Sequence, residues 1–365
     1  MIQWRRGVVV EVLSSWAGAV EYAVRLPSGD RVRALGYVDA VGVLAPGTVV
    51  LLNTTALERG LGTGGLAIVV AAPDVLPRPV DDVTAVRGHV VKARYTPSQT
   101  MVLGVDEQDS EHHAALADAD DLAGMPVVVA DLHSALPAIL AGLREVAPDL
   151  RVAYVMTDGG ALPIDFSRTV AALRGAGWLA ASVTVGQAHG GDLEAVNVHT
   201  GLLAAHHVVG ADVTVVSQGP GNLGTGTRWG FSGTSAGEAV NAAGTLRGRP
   251  VCSLRISEAD PRERHRGVSH HSLTAYGRVS LVPADVPVPR LPGGLGRRVL
   301  DQARELCGAS GGRLGLHEVD VEGLDAALRD TPVPLRTMGR GYDDDRAGFL
   351  GAAVAGRYAA RMLKD

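Results

Sequence analysis

Residues 151–187 read RVAYVMTDGGALPIDFSRTVAALRGAGWLAASVTVGQ, and the α/β character of the chain is written there. An apolar run, RVAYVMT, gives way to a polar turn. Pro163 then opens a helical pattern over 164–174, Gly175 stops it, and a second apolar run, LAASVTV, follows. Short apolar runs on either side of a helical stretch are the pattern of a buried strand, a crossover helix and a parallel strand. The pattern recurs on both sides of this unit. PVVVADL precedes it, and ADVTVVS and RPVCSLRIS come after it. Further helices are expected near 135–147, 193–209 and 235–246; Gly210 ends one of them, and Ser235-Ala236-Gly237-Glu238 opens another as a capping box. The fold class is therefore α/β, a mostly parallel layered sheet with helices, over residues 125–283.

Upstream, RGVVVEVL, EYAVRLP, RVRALGYV, GTVVLLNTT and LAIVVAA are short strands separated by Gly, Ser, Asp and Pro signals. Their spacing predicts a small all-β, barrel-like domain over 1–72. Residues 73–124 hold most of a Pro-rich linker, APDVLPRPVDD at 72–82, and a strand pair within GHVVKARYTPSQTMVLGVDE. Residues 284–365 begin in a second Pro-rich connection, VPADVPVPRLPGG at 282–294, and run through a helix near 295–308 to a final helix near 346–363. That last helix carries Gly348, Ala352, Ala355, Gly356 and Ala359, small enough for close backbone approach. Asp343, Asp344 and Asp345 precede it; capping and the helix dipole account for them, with a metal as the alternative.

Composition sets the outer bounds. With 365 residues, 46% of them hydrophobic and 20% charged, the chain is of the ordinary globular kind and disorder is excluded. A net charge of -5 gives no general attraction to nucleic acid or to an anionic membrane, so neither is expected as a partner. The N-terminal strands also lack the interleaved aromatic and basic residues of a nucleic-acid surface. Cys252 and Cys307 form no CxxC and no ladder, which fits reduced thiols and a cytoplasmic location. The start, MIQWRRGVVVEV, turns charged too soon for a signal peptide, and no apolar run reaches the roughly eighteen residues that cross a bilayer.

Ligands of parallel sheets bind beyond the carboxyl ends of the strands. Asp131 and His133 follow the first predicted strand of the sheet, Asp158 with Gly159 and Gly160 the second, and His189, Asp192 and Glu194 the third. The fourth leads into SQGPGNLGTGTRWGFSG at 217–233; the fifth is followed by Ser257, Glu258, Asp260, His265, His270 and His271. Asp158, His189, Asp192, His265 and His270 are the candidates for acid–base or metal-binding work. Asp192 has a second reading as the cap of the helix behind it, and His133 one as a satisfied structural histidine. A divalent metal held by His189, Asp192, Asp260 and His265 or His270 is an option, though no HExxH spacing supports it. His199 and His206, seven residues apart, are about 10 Å apart along a helix, too far for one ion. If His270 and His271 are helical they point to different faces, so at most one is expected in a given site. Ser269 and Ser272 beside the histidines invite a triad, but no GxSxG elbow is present.

The glycine-rich stretch matches GxGxxG only formally, and no Walker lysine follows it. Its amides, with Gly219, Gly221, Gly224, Thr225, Gly226, Thr227, Arg228 and Ser232, are the candidate ligand-binding set for a small anion such as phosphate or carboxylate. A structural loop around the sheet edge is the competing reading.

HSALPAIL, AYVMTDGGALP, TVGQAHGGDLEAVNVHTGLLAAHH, GPGNLGTGTRWGFSG, RERHRGVSHHSLTA and LLNTTALERGLGTGG together resemble a bacterial family catalogued as domain of unknown function 3866. The resemblance implies membership and brings no reaction, cofactor or site. Two functions are carried forward: an enzyme acting on a small anionic metabolite at the carboxyl ends of the sheet, and a non-catalytic ligand-sensing or assembly protein. In the second, the β domain and the small-residue terminal helix serve as interfaces of a homo-oligomer.

Overall fold

Alternating burial in the first seventy residues resolves into five strands, β1 (Trp4–Trp16), β2 (Ala19–Arg25), β3 (Arg31–Tyr37), β4 (Val49–Asn53) and β5 (Ala67–Ala71). Two one-turn helices, α1 (Val38–Val41) and α2 (Thr55–Glu58), lie between them. The structure is a computed structural model and describes residues 1–61, 64–76 and 86–364. The strands close into a barrel in the order β1-β2-β3-β5-β4, with β3 and β5 parallel and every other pair antiparallel. Closure leaves no free strand edge. Val9, Val20, Tyr22, Val24, Ala34, Val50, Leu52 and Val69 fill its interior, and the Tyr22 hydroxyl accepts from the Leu44 amide at 2.9 Å.

The chain divides into two units, one made of Met1–Arg87, Ala93–Thr100 and Asp165–Ala171 and the other of Gly88–Lys92, Met101–Ile164 and Ala172–Asp365. The short 165–171 piece belongs to the barrel unit for a visible reason. Trp16 Nε1 donates to the Asp165 carbonyl at 2.6 Å, and the Arg168 guanidinium stacks 4.1 Å over the Trp16 ring while pairing with the buried Glu21. Of the Pro-rich linker at 72–82, residues 77–82 lie outside the described residues.

In the second unit a short pair, β6 (Val90–Lys92) and β7 (Thr100–Val102), and helix α3 (His113–Leu116) lead to the sheet. Its strands are β8 (Pro126–Val129), β9 (Val152–Thr157), β10 (Ala181–Thr184), β11 (Leu193–Glu194), β12 (Val213–Gln218) and β13 (Arg249–Cys252), then, past a small hairpin of β14 (Ile256–Ser257) and β15 (Gly267–Val268), β16 (Ala284–Pro289) and β17 (Leu314–Val319). All eight sheet strands are parallel, in the order β11-β10-β9-β12-β8-β13-β16-β17. The central strands are buried on both faces, which is why they read as continuous apolar runs.

The helices are α4 (Leu136–Val146), α5 (Arg168–Gly175), α6 (Val198–His207), α7 (Ser235–Thr245), α8 (His270–Thr274), α9 (Gly293–Gly308), α10 (Leu324–Arg329) and α11 (Arg346–Arg361). From β8 the chain runs one way along the sheet to β11, then returns and runs the other way from β12 to β17. Right-handed crossovers therefore put α4 on one face and α6, α7 and α9 on the other. The final helix α11 packs on α4. The two approach so closely that a β-carbon at Gly142 would collide with the Ala353 carbonyl, and one at Gly356 with the Ile139 carbonyl. Of the small residues expected to permit close approach, Gly356 serves this contact, while Gly348 faces the Ile256 carbonyl.

Three local expectations change. The helix predicted from residue 193 starts only at Val198, where the Asn197 side chain caps it by accepting from the Thr200 amide at 3.0 Å; Leu193–Glu194 is an edge strand. The Pro-rich 282–294 contains β16. Even-numbered residues of this strand bond to β17, as Ala284 and Arg290 do through their amides, so Pro287 and Pro289 turn their missing N–H groups towards β13, which pairs with β16 only at Asp285. Ser235 is not a cap: a 3-10 turn, Ser232–Thr234, carries the helix upstream, and the Ser235 hydroxyl donates to the Ser232 carbonyl. No helix among the described residues is long and apolar enough to cross a membrane.

Candidate functional site

Where the chain direction reverses, β9, β12, β8 and β13 lie side by side, and turns leave neighbouring strands towards opposite faces. Asp131 stands two residues beyond β8. Its carbonyl accepts from Gln218 Nε2 at 2.9 Å, which ties the end of β8 to the end of β12. Its carboxylate is buried, and Oδ2 has no hydrogen-bond partner among the described residues. That oxygen lies 3.6 Å from His271 Nδ1 and 4.0 Å from Arg255 Nη1. Arg255, three residues past β13, is itself nearly buried; burial lowers its pKa while Asp131 opposes the shift. Its Nη1 reaches His271 Nδ1 at 3.2 Å.

Ser269 caps α8, its Oγ accepting from the His271 amide at 3.2 Å, so His270 and His271 are the first two residues of that helix. Helical Cα–Cβ bonds tilt towards the N-terminus, so in the first turn both side chains reach back past the helix end, where no preceding turn separates them. The two rings accordingly lie 4.4 Å apart, centroid to centroid, which corrects the expectation that only one of them enters a given site. His265, from the 3-10 turn Glu263–His265, joins them at 4.9 Å from His270 and 5.0 Å from His271. Ser269 Oγ sits 2.8 Å from His265 Nδ1. One ring nitrogen from each of the three histidines lies within 4.8 Å of the others. Phe231 stacks on His271, with centroids 3.8 Å apart and planes 2° from parallel.

The environment keeps the rings of His265 and His270 uncharged. Burial first, then the guanidinium groups of Arg255 and Arg262, bring the pKa of His265 down to about 3. Burial, His271 and Arg264 bring that of His270 to about 4. Beside them Asp260 is fully buried; Arg262 donates to both of its oxygens at 2.9 Å and holds its carboxyl well below the usual range. Arg340 bridges Asp260, at 3.3 Å, to Asp345, at 3.0 Å. The carbonyl of Asp345 accepts from the Gly348 amide of α11 at 3.1 Å, but its carboxylate makes no cap bond to that helix. It accepts instead from Ser257 Oγ at 2.5 Å and the Glu258 amide at 3.0 Å, so the carboxylate expected to cap the last helix fastens a strand-end turn. Between Asp131, Arg255, Arg340 and Phe349 a cavity of about 40 Å³ has room for waters and little more.

Of the acid–base candidates, the cluster contains His265 and His270. Asp158 is exposed and accepts from the Gln187 amide at 2.9 Å, fastening the turn after β10. His189 bridges Pro163 through its backbone, donating to Leu162 and accepting from Ile164. Asp192 pairs with Arg174 and accepts from Ser182 N and Oγ at 2.8 and 2.9 Å. It stands just before an edge strand and alongside Ser182, so it is not at a carboxyl end. His133 bonds through Nδ1 to the Tyr154 hydroxyl at 3.0 Å, and burial holds its pKa at about 4. The sequence pattern does not single out Arg255 or Phe231, and it sets His271 against His270; a lone aromatic inside a glycine-rich loop is the one signal for Phe231.

The 217–233 loop is partly self-contained. The Thr225 amide donates to the Gly230 carbonyl at 2.7 Å, Gly230 donates to Thr227 Oγ1 at 3.1 Å, and Ser232 Oγ accepts from the Leu223 amide at 3.1 Å and donates to Asn222 Oδ1 at 2.9 Å. Gly219 is buried, and with Gly160 it lets two turns meet at backbone distance: a β-carbon on Gly160 would strike the Gly219 carbonyl, and one on Gly219 the Ala161 carbonyl. Gly221, Gly224, Gly226 and Arg228 are exposed, and the Arg264 guanidinium lies 3.7 Å from where a β-carbon on Gly226 would stand. Neither Arg228 nor Arg264 forms an ion pair among the described residues.

No curated protein and no solved structure matches this chain. A family model described as "Protein of unknown function (DUF3866)" matches residues 33–356, which takes in the barrel from within β3 onward, the whole sheet and every histidine of the cluster. The chain therefore belongs to the DUF3866 family.

Proposed function

We propose that the protein is an enzyme acting on a small anionic metabolite bound at the carboxyl ends of β12, β8 and β13. The observation that carries this reading is the stacking of Phe231 on His271. It draws the 217–233 loop, three imidazoles, the unpartnered oxygen of Asp131 and Arg255 into one neighbourhood. A buried carboxylate oxygen without a partner is costly, and such groups concentrate where a ligand or a reaction uses them. Arg264 and Arg228, exposed beside the loop, supply the attraction for a phosphate or carboxylate. The uncharged imidazoles of His265 and His270 supply lone pairs as proton acceptors or ligands.

The test is to incubate the purified protein with a pool of phosphorylated and carboxylated metabolites and follow their depletion by mass spectrometry. The reading expects one or more anions to be consumed by the wild type, and Arg264→Ala to raise the KM for that substrate by about tenfold, the effect of losing roughly 1.4 kcal/mol of charged contact. Binding without consumption would favour a ligand-sensing or assembly protein. The internal bonds of the loop and the exposure of Leu223 (75%) and Trp229 (56%) near its tip support that second reading.

A further inference from the structure

His265, His270 and His271 come from two short elements with no sequence pattern in common, yet their rings crowd to within 5.0 Å of one another. Three clustered imidazoles gain little from mutual contact, and His270 Nε2 is buried with no hydrogen-bond partner among the described residues. We infer that the three histidines form a binding site for one zinc-class transition-metal dication, oriented from behind by Ser269 and Asp131.

A tetrahedral zinc holds its nitrogen ligands at 2.0–2.1 Å, hence about 3.3 Å from one another. The nitrogens here already lie within 4.8 Å of each other, so side-chain rotations of about 1 Å per ring complete the triangle. Ser269 Oγ lies against His265 Nδ1, which turns Nε2 of that ring to the site, and His270 offers its unpartnered Nε2. His271 Nδ1 faces Asp131 Oδ2 at 3.6 Å and Arg255 Nη1 at 3.2 Å. A carboxylate or hydroxyl behind a ligating imidazole is the usual outer arrangement of such sites. Three neutral protein ligands leave the fourth position open, the layout of a catalytic and not a structural zinc site. Arg255 and Arg264 near a dication favour an anion in that open position, and imidazole-only ligation suits zinc, copper or nickel more than magnesium or calcium.

This inference deepens the enzyme reading by giving its site a metal, and it is tested without turnover. The full chain is stripped with chelator, equilibrated with zinc, desalted and assayed for metal; cobalt(II) is added in parallel and its visible absorption recorded. One equivalent of zinc and the intense bands of four-coordinate cobalt are expected. Half-buried His270→Ala should lower zinc affinity at least a hundredfold and abolish the bands, and Asp131→Asn should lower it tenfold to a hundredfold. Exposed His199→Ala should change neither. Circular dichroism establishes that each variant is folded, and His270→Gln, closer in shape, stands in if His270→Ala is not. Folded wild type that retains no zinc and gives no cobalt bands, or a His270 variant that binds as the wild type does, overturns the inference. Anion consumption by a wild type that retains no zinc and gives no cobalt bands would leave the enzyme reading standing and the metal site refuted. Metal binding with no consumption would do the reverse.

Discussion

Lys92 and Lys364 are the two lysines of a chain whose 34 basic residues are otherwise arginine, and Lys92 shows why one was kept. Its buried ammonium donates to the carbonyls of Ala188 and Ala195 at 3.0 and 2.8 Å, reaches that of Thr184 at 3.5 Å, and lies 3.4 Å from Glu194. Three converging carbonyls match three ammonium donors, whereas a planar guanidinium fork does not. Burial moves Lys92 down and Glu194 up, against the attraction between them. Lys92→Met should cost about 3–5 kcal/mol, because it strands a buried carboxylate, and Lys92→Met with Glu194→Gln should cost less than the two single changes added together. Urea midpoints of the four proteins check this. Cys307 gives a second expectation. Burial pushes its thiol up to about 11, so about one molecule in a thousand is thiolate at pH 8, and alkylation of the native protein by iodoacetamide should be far slower than that of a free cysteine.

Helices α4 and α11 meet through Gly142 and Gly356, each facing a carbonyl of the other helix. Gly356→Val should cost about 3 kcal/mol or prevent folding, whereas Gly308→Ala, at the open end of α9 with nothing within 4 Å, should gain up to about 1 kcal/mol; thermal melts compare them. The elements also show what a bare sequence reveals. Strands β8, β9, β10, β12 and β13 were legible because burial on both faces leaves uninterrupted apolar runs. Strand β16 was hidden by prolines that chain direction renders harmless, and β11 by its two-residue length. The carboxyl-end rule led to the rim of the sheet on which His265 and His270 come together. It did not separate Asp192 from that rim, because the rule needs the strand ends and β11 was unseen. His271 was set against His270 because the facing rule for helices holds for interiors and not for the first two residues of a five-residue helix.

Acid tolerance belongs to the molecule as a whole. Asp260, held low by Arg262, and Asp325, held down to about 2 by Arg346, both titrate in the folded state below the ordinary aspartate value near 3.9. A depressed carboxyl contributes stability in full above the unfolded value and loses it as pH falls through the folded one. Denaturant midpoints should therefore be level above about pH 5 and fall steadily towards pH 2, and Asp260→Asn should start lower and fall less. Asp325 is partly exposed, so its share should shrink in salt while that of Asp260 persists. The seclusion of Lys92 has a further use. An endoprotease specific for lysine has a single internal target here, the bond between Lys92 and Ala93, and both residues are shut away from solvent. The native chain should survive such digestion save for trimming after Lys364, and any opening that frees the target should yield two fragments, turning one peptide bond into a gauge of how often the molecule comes apart.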